Sequence, residues 1–271
     1  MSRTSFIATL ALSISTAVGI VILEAPAQPP AAGPNGIQPA SQSIPMPQPP
    51  MDPGAQLLAD ARASFTRVKD YMGTLVKEER VGGQLQPEQY IAMRVRQQPF
   101  SVYLKWTGPK QYEGQEAAFV AGKNGNRMRA KGTGLAGAFG FVSLDPNDSR
   151  AMKDNRHAIT ETGVGHLIDK LSRGRETERQ LPPGQVQVSY REFMFQQKAC
   201  SGMETIHRVN NGQFYCYRTV VYFDKTTKLP VRFEAYDWPT AGGPPGGEKL
   251  ECYSYIDLKF NVGLTDAAFG M

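Results

Sequence analysis

A period-two alternation of apolar and polar residues, cut by turn signals, recurs along most of this chain and commits it to an antiparallel sheet. Phe100, Val102, Leu104 and Trp106 alternate with Ser101, Tyr103 and Lys105, and Val231, Phe233 and Ala235 with Arg232, Glu234 and Tyr236. Leu250, Cys252, Ser254, Ile256 and Leu258 share one face of a later segment, and Lys249, Glu251, Tyr253, Tyr255 and Asp257 the other. Val81-Gly82-Gly83-Gln84 joins strands expected at 71–80 and 86–97, Asn124-Gly125-Asn126 joins 115–123 to 127–131, and Asn210-Asn211-Gly212 joins 198–209 to 213–224. Asn and Gly tolerate the positive φ that tight hairpin turns demand. Further strands are expected at 186–195, 231–236 and 249–258.

Two stretches carry a helical period instead. Leu57, Leu58, Ala61, Phe65 and Val68 predict a helix over 54–69, with Asp52-Pro53 as cap and first turn. Val164, Leu167, Ile168 and Leu171 predict a second over 163–178. The fold class is α+β, with one helix, a block of strands, a second helix and a second block. A sheet of about 10–11 antiparallel strands must curl or close. The expected architecture is a large curved sheet, an incomplete β-barrel, wrapped around the N-terminal helix, with an apolar concave face and a wet convex one.

The first 53 residues are of another kind. A basic start at Met1–Arg3, an apolar run at Phe6–Leu23 and the small-residue pattern Ala25-Pro26-Ala27 read as a signal peptide over 1–27. The same run is also long enough to stay as an uncleaved anchor helix. No cysteine lies near the junction, so a lipid-modified N-terminus is excluded. Residues 28–53 form a proline-rich linker that cannot build a core. The folded domain is expected over 54–271, outside the cytoplasm, in the periplasm or cell envelope.

The chain's net charge of +5 is too small for a dedicated nucleic-acid binder, so no nucleic-acid partner is expected. Between Lys77 and Lys131, however, ten basic residues face five acidic ones. Arg94, Arg96, Lys105, Arg127 and Arg129 are the candidate basic patch, either an ordinary solvated sheet face or a contact for an anionic envelope surface. The three histidines, His157, His166 and His207, have no metal-binding spacing, and no Gly-x-Ser-x-Gly elbow occurs. Asp145, Asn147, Asp148 and Asp154 around Pro146 read as turn chemistry rather than a calcium loop. Arg156-His157 and Thr160-Glu161 precede the second helix as a candidate site or as capping residues. No catalytic grouping, cofactor or metal is called, and the expectation is a non-enzyme. Cys200 and Cys216 fall out of register for a bridge, which leaves free, buried cysteines, with Cys252 in reach of either.

Gly132-Thr-Gly-Leu-Ala-Gly137 matches a nucleotide-loop pattern, but that motif works between a strand and a helix of a parallel unit, which is absent here. The wider run 132–144 mixes glycine with Leu135, Phe139, Phe141 and Val142, and is either a flexible apolar lid or a buried crossover.

Several segments together carry a family resemblance. Tyr71-Met-Gly-Thr-Leu-Val-Lys-Glu-Glu-Arg80, Met93-Arg-Val-Arg96, Pro99-Phe-Ser-Val-Tyr-Leu-Lys105, Ser143-Leu-Asp-Pro146, Ile159-Thr-Glu161, Leu229-Pro-Val-Arg-Phe-Glu-Ala-Tyr-Asp-Trp-Pro239 and Asn261-Val-Gly-Leu-Thr-Asp266 with Phe269 resemble the secreted domain of unknown function 1571. Strand order and the late Leu-Pro-Val-Arg-Phe segment are more remotely similar to the outer-membrane lipoprotein carrier superfamily of the LolA/LolB type, which includes the N-terminal domain of RseB. That resemblance implies a half-barrel with an apolar cavity for acyl chains, and hence a non-enzymatic envelope module that binds an acyl chain, a lipid or an acylated protein. The alternative it leaves open is a regulatory protein-interaction module without a lipid ligand. Phe100, Val102, Leu104, Trp106, Val231 and Phe233 are the expected cavity residues, and Phe139 and Phe141 the expected lid. Nothing in the sequence assigns an oligomeric state.

Overall fold

The alternating segments pair into one 12-stranded, wholly antiparallel sheet in the computed structural model, which describes residues 52–270. The expected signal peptide (1–27) and all but the last two residues of the expected linker (28–53) lie outside the described residues. Helix α1 (Pro53–Phe65) leads into β1 (Asp70–Val81), β2 (Gln84–Leu85), β3 (Gln89–Arg96), β4 (Ser101–Gly108), β5 (Glu116–Val120) and β6 (Met128–Lys131). The short helix α2 (Gly134–Ala138), β7 (Val142–Leu144) and α3 (Ser149–Met152) follow. Then come a 3₁₀ turn at Ile159–Glu161 and α4 (Val164–Glu178). The second block is β8 (Val186–Phe195), β9 (Lys198–His207), β10 (Arg218–Asp224), β11 (Pro230–Tyr236) and β12 (Lys249–Phe260). A 3₁₀ turn at Asp266–Phe269 ends the described chain.

The spatial order is β7-β6-β5-β4-β3-β1-β12-β11-β10-β9-β8, with β2 paired to β1 alone. Each strand along this path lies beside its neighbour in sequence, except at one seam. There β1 pairs with β12, joining two meanders through strands about 180 residues apart in the chain. A bulge between Met72 and Thr74 shifts the register at that seam. A Cβ on Gly73 would approach the Ile256 carbonyl oxygen to 2.7 Å, so the bulge leaves no room for a side chain.

The inner face of the sheet is covered by both long helices. α1 is capped as its sequence dictates: the Asp52 carboxylate accepts from the Gly54 N–H at 3.2 Å, and Pro53 opens the first turn. It ends at Phe65, short of the expected Lys69, although Val68 still reaches the core. α4 packs on α1 and on the sheet, and its buried Val164, Leu167 and Ile168 join Leu58, Ala61, Ile91, Val221 and Phe233 in one core cluster. Its N-cap is Gly163, which has no side chain to offer, and Thr160 does not supply the cap. The hydroxyl of Tyr71, reaching from β1, accepts from the Val164 N–H at 2.9 Å instead.

Two local expectations are corrected. The strand expected over 213–224 begins only at Arg218, because Phe214 leaves the ladder to stack on His207 (3.9 Å between ring centroids) and Tyr215 turns its hydroxyl to Glu251. The run 132–144 is neither one loop nor a buried crossover, since it forms α2 and the edge strand β7. The three cysteines are free and buried, and Cys200 pairs across the ladder with Asp224, far from Cys216.

Candidate functional site

Between the concave face and the cover formed by α3, the 3₁₀ turn and α4 lies a cavity of about 660 Å³. Its walls have two characters. Leu75, Ile91, Leu104, Trp106, Ala117 and Met128, from five neighbouring strands, form an apolar wall faced by Leu144, Ile159 and Leu167. Exposed Arg150, Asp154, Glu161 and Arg173 stand where it meets solvent. The expected apolar concave face is therefore only half the surface, because the other half is charged.

That charged half begins with residues whose strand positions point inward. Lys77 and Glu79 continue the inward row of β1 and line the cavity with Tyr253 and Tyr255 of β12, while Glu251 holds the same face of β12, buried and outside the lining. Glu251 is fully buried (0 % exposed) and all its acceptor capacity is used. Its Oε2 accepts from His157 Nε2 at 2.8 Å and Arg156 Nε at 3.0 Å, and its Oε1 from the Tyr215 hydroxyl at 2.9 Å and Lys170 Nζ at 3.4 Å. Glu79 is buried as well, and accepts from Lys77 Nζ at 3.3 Å, the Arg156 N–H at 3.1 Å and the Tyr253 hydroxyl. Tyr253 also donates toward Glu251, so one phenol links the two carboxylates. The Lys170 ammonium lies 4.3 Å from the centre of the Tyr215 ring.

These contacts set the protonation states. Burial alone would raise the Glu251 carboxyl, but the hydrogen bond from His157 and the charge of Lys170 bring it down to about 2. His157 sits between two carboxylates, with Nδ1 3.1 Å from Glu161 and Nε2 2.8 Å from Glu251. Each nitrogen faces an acceptor, so both donate and the ring is an imidazolium. Burial works against that charge, and Glu251 outweighs it to raise the histidine pKa. Burial, reinforced by Glu251, raises the Tyr215 and Tyr253 phenols well above their ordinary value. The cluster is thus a saturated ion network in which both carboxylates are occupied by cationic and hydrogen-bonding donors. Among the described residues, no group of three His, Cys, Asp or Glu side chains is placed to hold a metal ion.

Of the residues expected to line a cavity, Leu104, Trp106 and Phe233 do so. The Trp106 indole N–H donates to Gln89 at 2.7 Å. Val102 and Val231 are buried in the sheet away from the cavity wall. Phe100 lines a second, smaller hollow of about 240 Å³ against Phe65, Tyr71 and His166. Phe139 and Phe141 lie outside the cavity lining: Phe139 projects into solvent, and the Arg129 guanidinium covers Phe141 at 4.7 Å. Four of the five basic-patch residues have local partners. Arg96 pairs with Asp266 at 2.7 Å and lies over the Phe269 ring, Arg94 donates to the Ala268 carbonyl, and Arg129 to that of Gly270. They hold the C-terminal turn to the convex face. Arg127 donates to Ser143, and Lys105 is exposed.

The family model described as "Protein of unknown function (DUF1571)" matches residues 68–271. The chain belongs to the DUF1571 family. The match covers both meanders and all of the charged cluster, so this DUF1571 protein carries its cavity inside the family's own boundaries. No curated protein matches it in sequence. Among solved structures it is similar to an uncharacterized conserved protein from Thermus thermophilus, at 11 % identity and a TM-score of 0.45, over 81 % of this chain and 94 % of that one. It is similar as well to the lipoprotein LppX of Mycobacterium tuberculosis (10 %, TM-score 0.46, 79 % and 99 %). A third is a LolA superfamily protein from Nitrosomonas europaea (10 %, TM-score 0.30, 80 % and 96 %). Among the described residues, no helix is long and apolar enough to cross a membrane.

Proposed function

We propose that this DUF1571 protein is an exported, non-enzymatic binding module of the cell envelope whose cavity takes the acyl chain of a lipid or of an acylated protein. The observation that carries this reading is the cavity's two-sided lining. Its volume of about 660 Å³ falls within the roughly 300–1,000 Å³ typical of small-molecule sites. An acyl chain laid along Leu75, Ile91, Leu104 and Trp106 removes apolar surface from water, worth roughly 0.8 kcal/mol per buried CH₂. The polar end of the same ligand then meets Lys77, Lys170 and the rim residues. Binding rather than turnover is supported by the state of the polar groups: both buried carboxylates are ion-paired, His157 is held protonated, and the tyrosines keep their protons. Export is supported by the signal-peptide pattern over residues 1–27.

The test is native mass spectrometry of the protein purified without detergent from its own envelope, followed by extraction of whatever is bound. An acylated species in the adduct, lost in Leu104→Asp while the far-ultraviolet spectrum is kept, is the expected result. A bare mass, together with failure to take up a fluorescent fatty acid, would leave the cavity without this role.

A further inference from the structure

The segment 117–144 contains Lys123, Arg127, Arg129 and Lys131 and not one aspartate or glutamate. Inside it the structure places its most exposed large apolar side chains. Leu135 is 88 % exposed and Phe139 85 % exposed, while Phe141 and Val142 are also open to solvent. A single exposed leucine is ordinary. Leu135 and Phe139 are four residues apart on one helical turn, so they stand on the same side of α2 and form one apolar tip. Gly134 and Gly140, both at positive φ, let the chain turn sharply into and out of that tip. Thr133 donates to the Gln111 carbonyl of the neighbouring turn, which brings Lys110 to the same end of the sheet as Lys131. Lys131 has only a long 3.8 Å contact with Glu116, and Lys110 has no ion-pair partner among the described residues.

We infer that the α2 segment, Gly132–Val142, docks this protein on an anionic lipid bilayer, with Leu135 and Phe139 inserted at the acyl boundary and Lys110 and Lys131 at the level of the head groups. The pairing of an apolar tip with flanking cations is the arrangement that interfacial membrane binding requires. Water is a poor solvent for the tip, and the lack of carboxylates in 117–144 lowers the repulsion from anionic head groups there, although exposed Glu113 shares the turn of Lys110. The inference stands on exposure and charge alone and does not depend on what the cavity holds.

The test uses the full chain with Phe139→Trp as a reporter beside Trp106 and Trp238. Emission is followed on phosphatidylcholine vesicles with and without phosphatidylglycerol, the acyl chains carrying bromine as a quencher. The expected result is a blue shift and quenching of the added tryptophan that need phosphatidylglycerol and are reversed by salt. Lys110→Gln with Lys131→Gln should weaken the apparent affinity roughly tenfold, and adding Leu135→Asp should abolish the quenching. Emission from the added tryptophan that stays unshifted and unquenched on anionic vesicles would overturn the inference, and this holds even where another part of the chain binds them. Equal quenching on neutral vesicles would overturn the role of the lysines. Because these substitutions lie outside the cavity, an adduct seen by native mass spectrometry should survive them, which separates this test from that of the ligand.

Discussion

Replacing Glu251 by Gln leaves Arg156, His157 and Lys170 around a neutral, fully buried side chain. Breaking a buried ion network by removing one partner costs about 3–5 kcal/mol. A loss of that size is expected for Glu251→Gln, read from urea denaturation at neutral pH. The pH dependence follows from the two shifts. The Glu251 pKa is depressed to about 2 from 4.5, so its contribution is complete above the unfolded value and fades as pH falls from 4.5 toward 2. That of His157 is raised above 6.5, so its contribution is complete below 6.5 and fades as pH rises through the folded value. The cluster therefore stabilises the fold most between pH 4.5 and 6.5. A denaturation midpoint plotted against pH should show this plateau, and Glu251→Gln should flatten both of its limbs. Most of the network could not be assembled from the sequence, because Glu251 meets Tyr215, Lys170, His157 and Arg156 from 36 to 95 residues away through strand register and loop closure. One signal was nevertheless present: Lys77, Glu79 and Glu251 sit at inward positions of strands whose neighbours are apolar, where a charge must be paired or expelled.

At the scale of single elements, α4 is the cover of the cavity and its start is its weakest point. Gly163 has φ +113°, and a Cβ there would collide with the Tyr71 hydroxyl that caps the helix. Gly163→Ala combines backbone strain with loss of that hydrogen bond, and should destabilise by about 2–4 kcal/mol. Hydrogen exchange should locate the loss in α4 and the 3₁₀ turn before it, with α1 less affected. The helices were legible because a 3.6-residue period over Leu57–Val68 and Val164–Leu171 is a long, local pattern. Hairpins at Gly82-Gly83 and Asn124-Gly125-Asn126 were legible for the same reason. The cap by Tyr71 was not, since its two ends are 93 residues apart. The early end of the strand before Arg218 was hidden because Tyr215 and Tyr217 keep the alternation that a ladder would show, while the tyrosine hydroxyl finds a better partner in Glu251.

For the whole molecule, the decisive contact is the seam between β1 and β12. Either meander can form from local hairpins, but the concave face and its cavity exist only when the two are joined across nearly the whole domain. Closure of so long a loop has to precede the burial that rewards it. Refolding is therefore expected on the millisecond-to-second scale of sheet proteins rich in non-local pairing. Gly73→Val, which forces a side chain against Ile256, should slow refolding as well as lower stability. Stopped-flow fluorescence of Trp106, buried beside the cavity, is the measurement. Equal folding rates for the variant would place seam formation after the rate-limiting step.

The place where the chain enters the domain has a mechanical meaning. Asp52, the last residue before α1, is gripped by Arg175 of α4 at 2.7 Å and by the Tyr190 hydroxyl of β8 at 2.8 Å, and Tyr190 also accepts from the Gly54 N–H. A force arriving along the residues that precede Asp52 is therefore passed into a helix and a strand at once, ahead of the first turn of α1. The grip acts as a strain relief for the first turn of α1, which is held by α4 and β8 before its own hydrogen bonds carry any load.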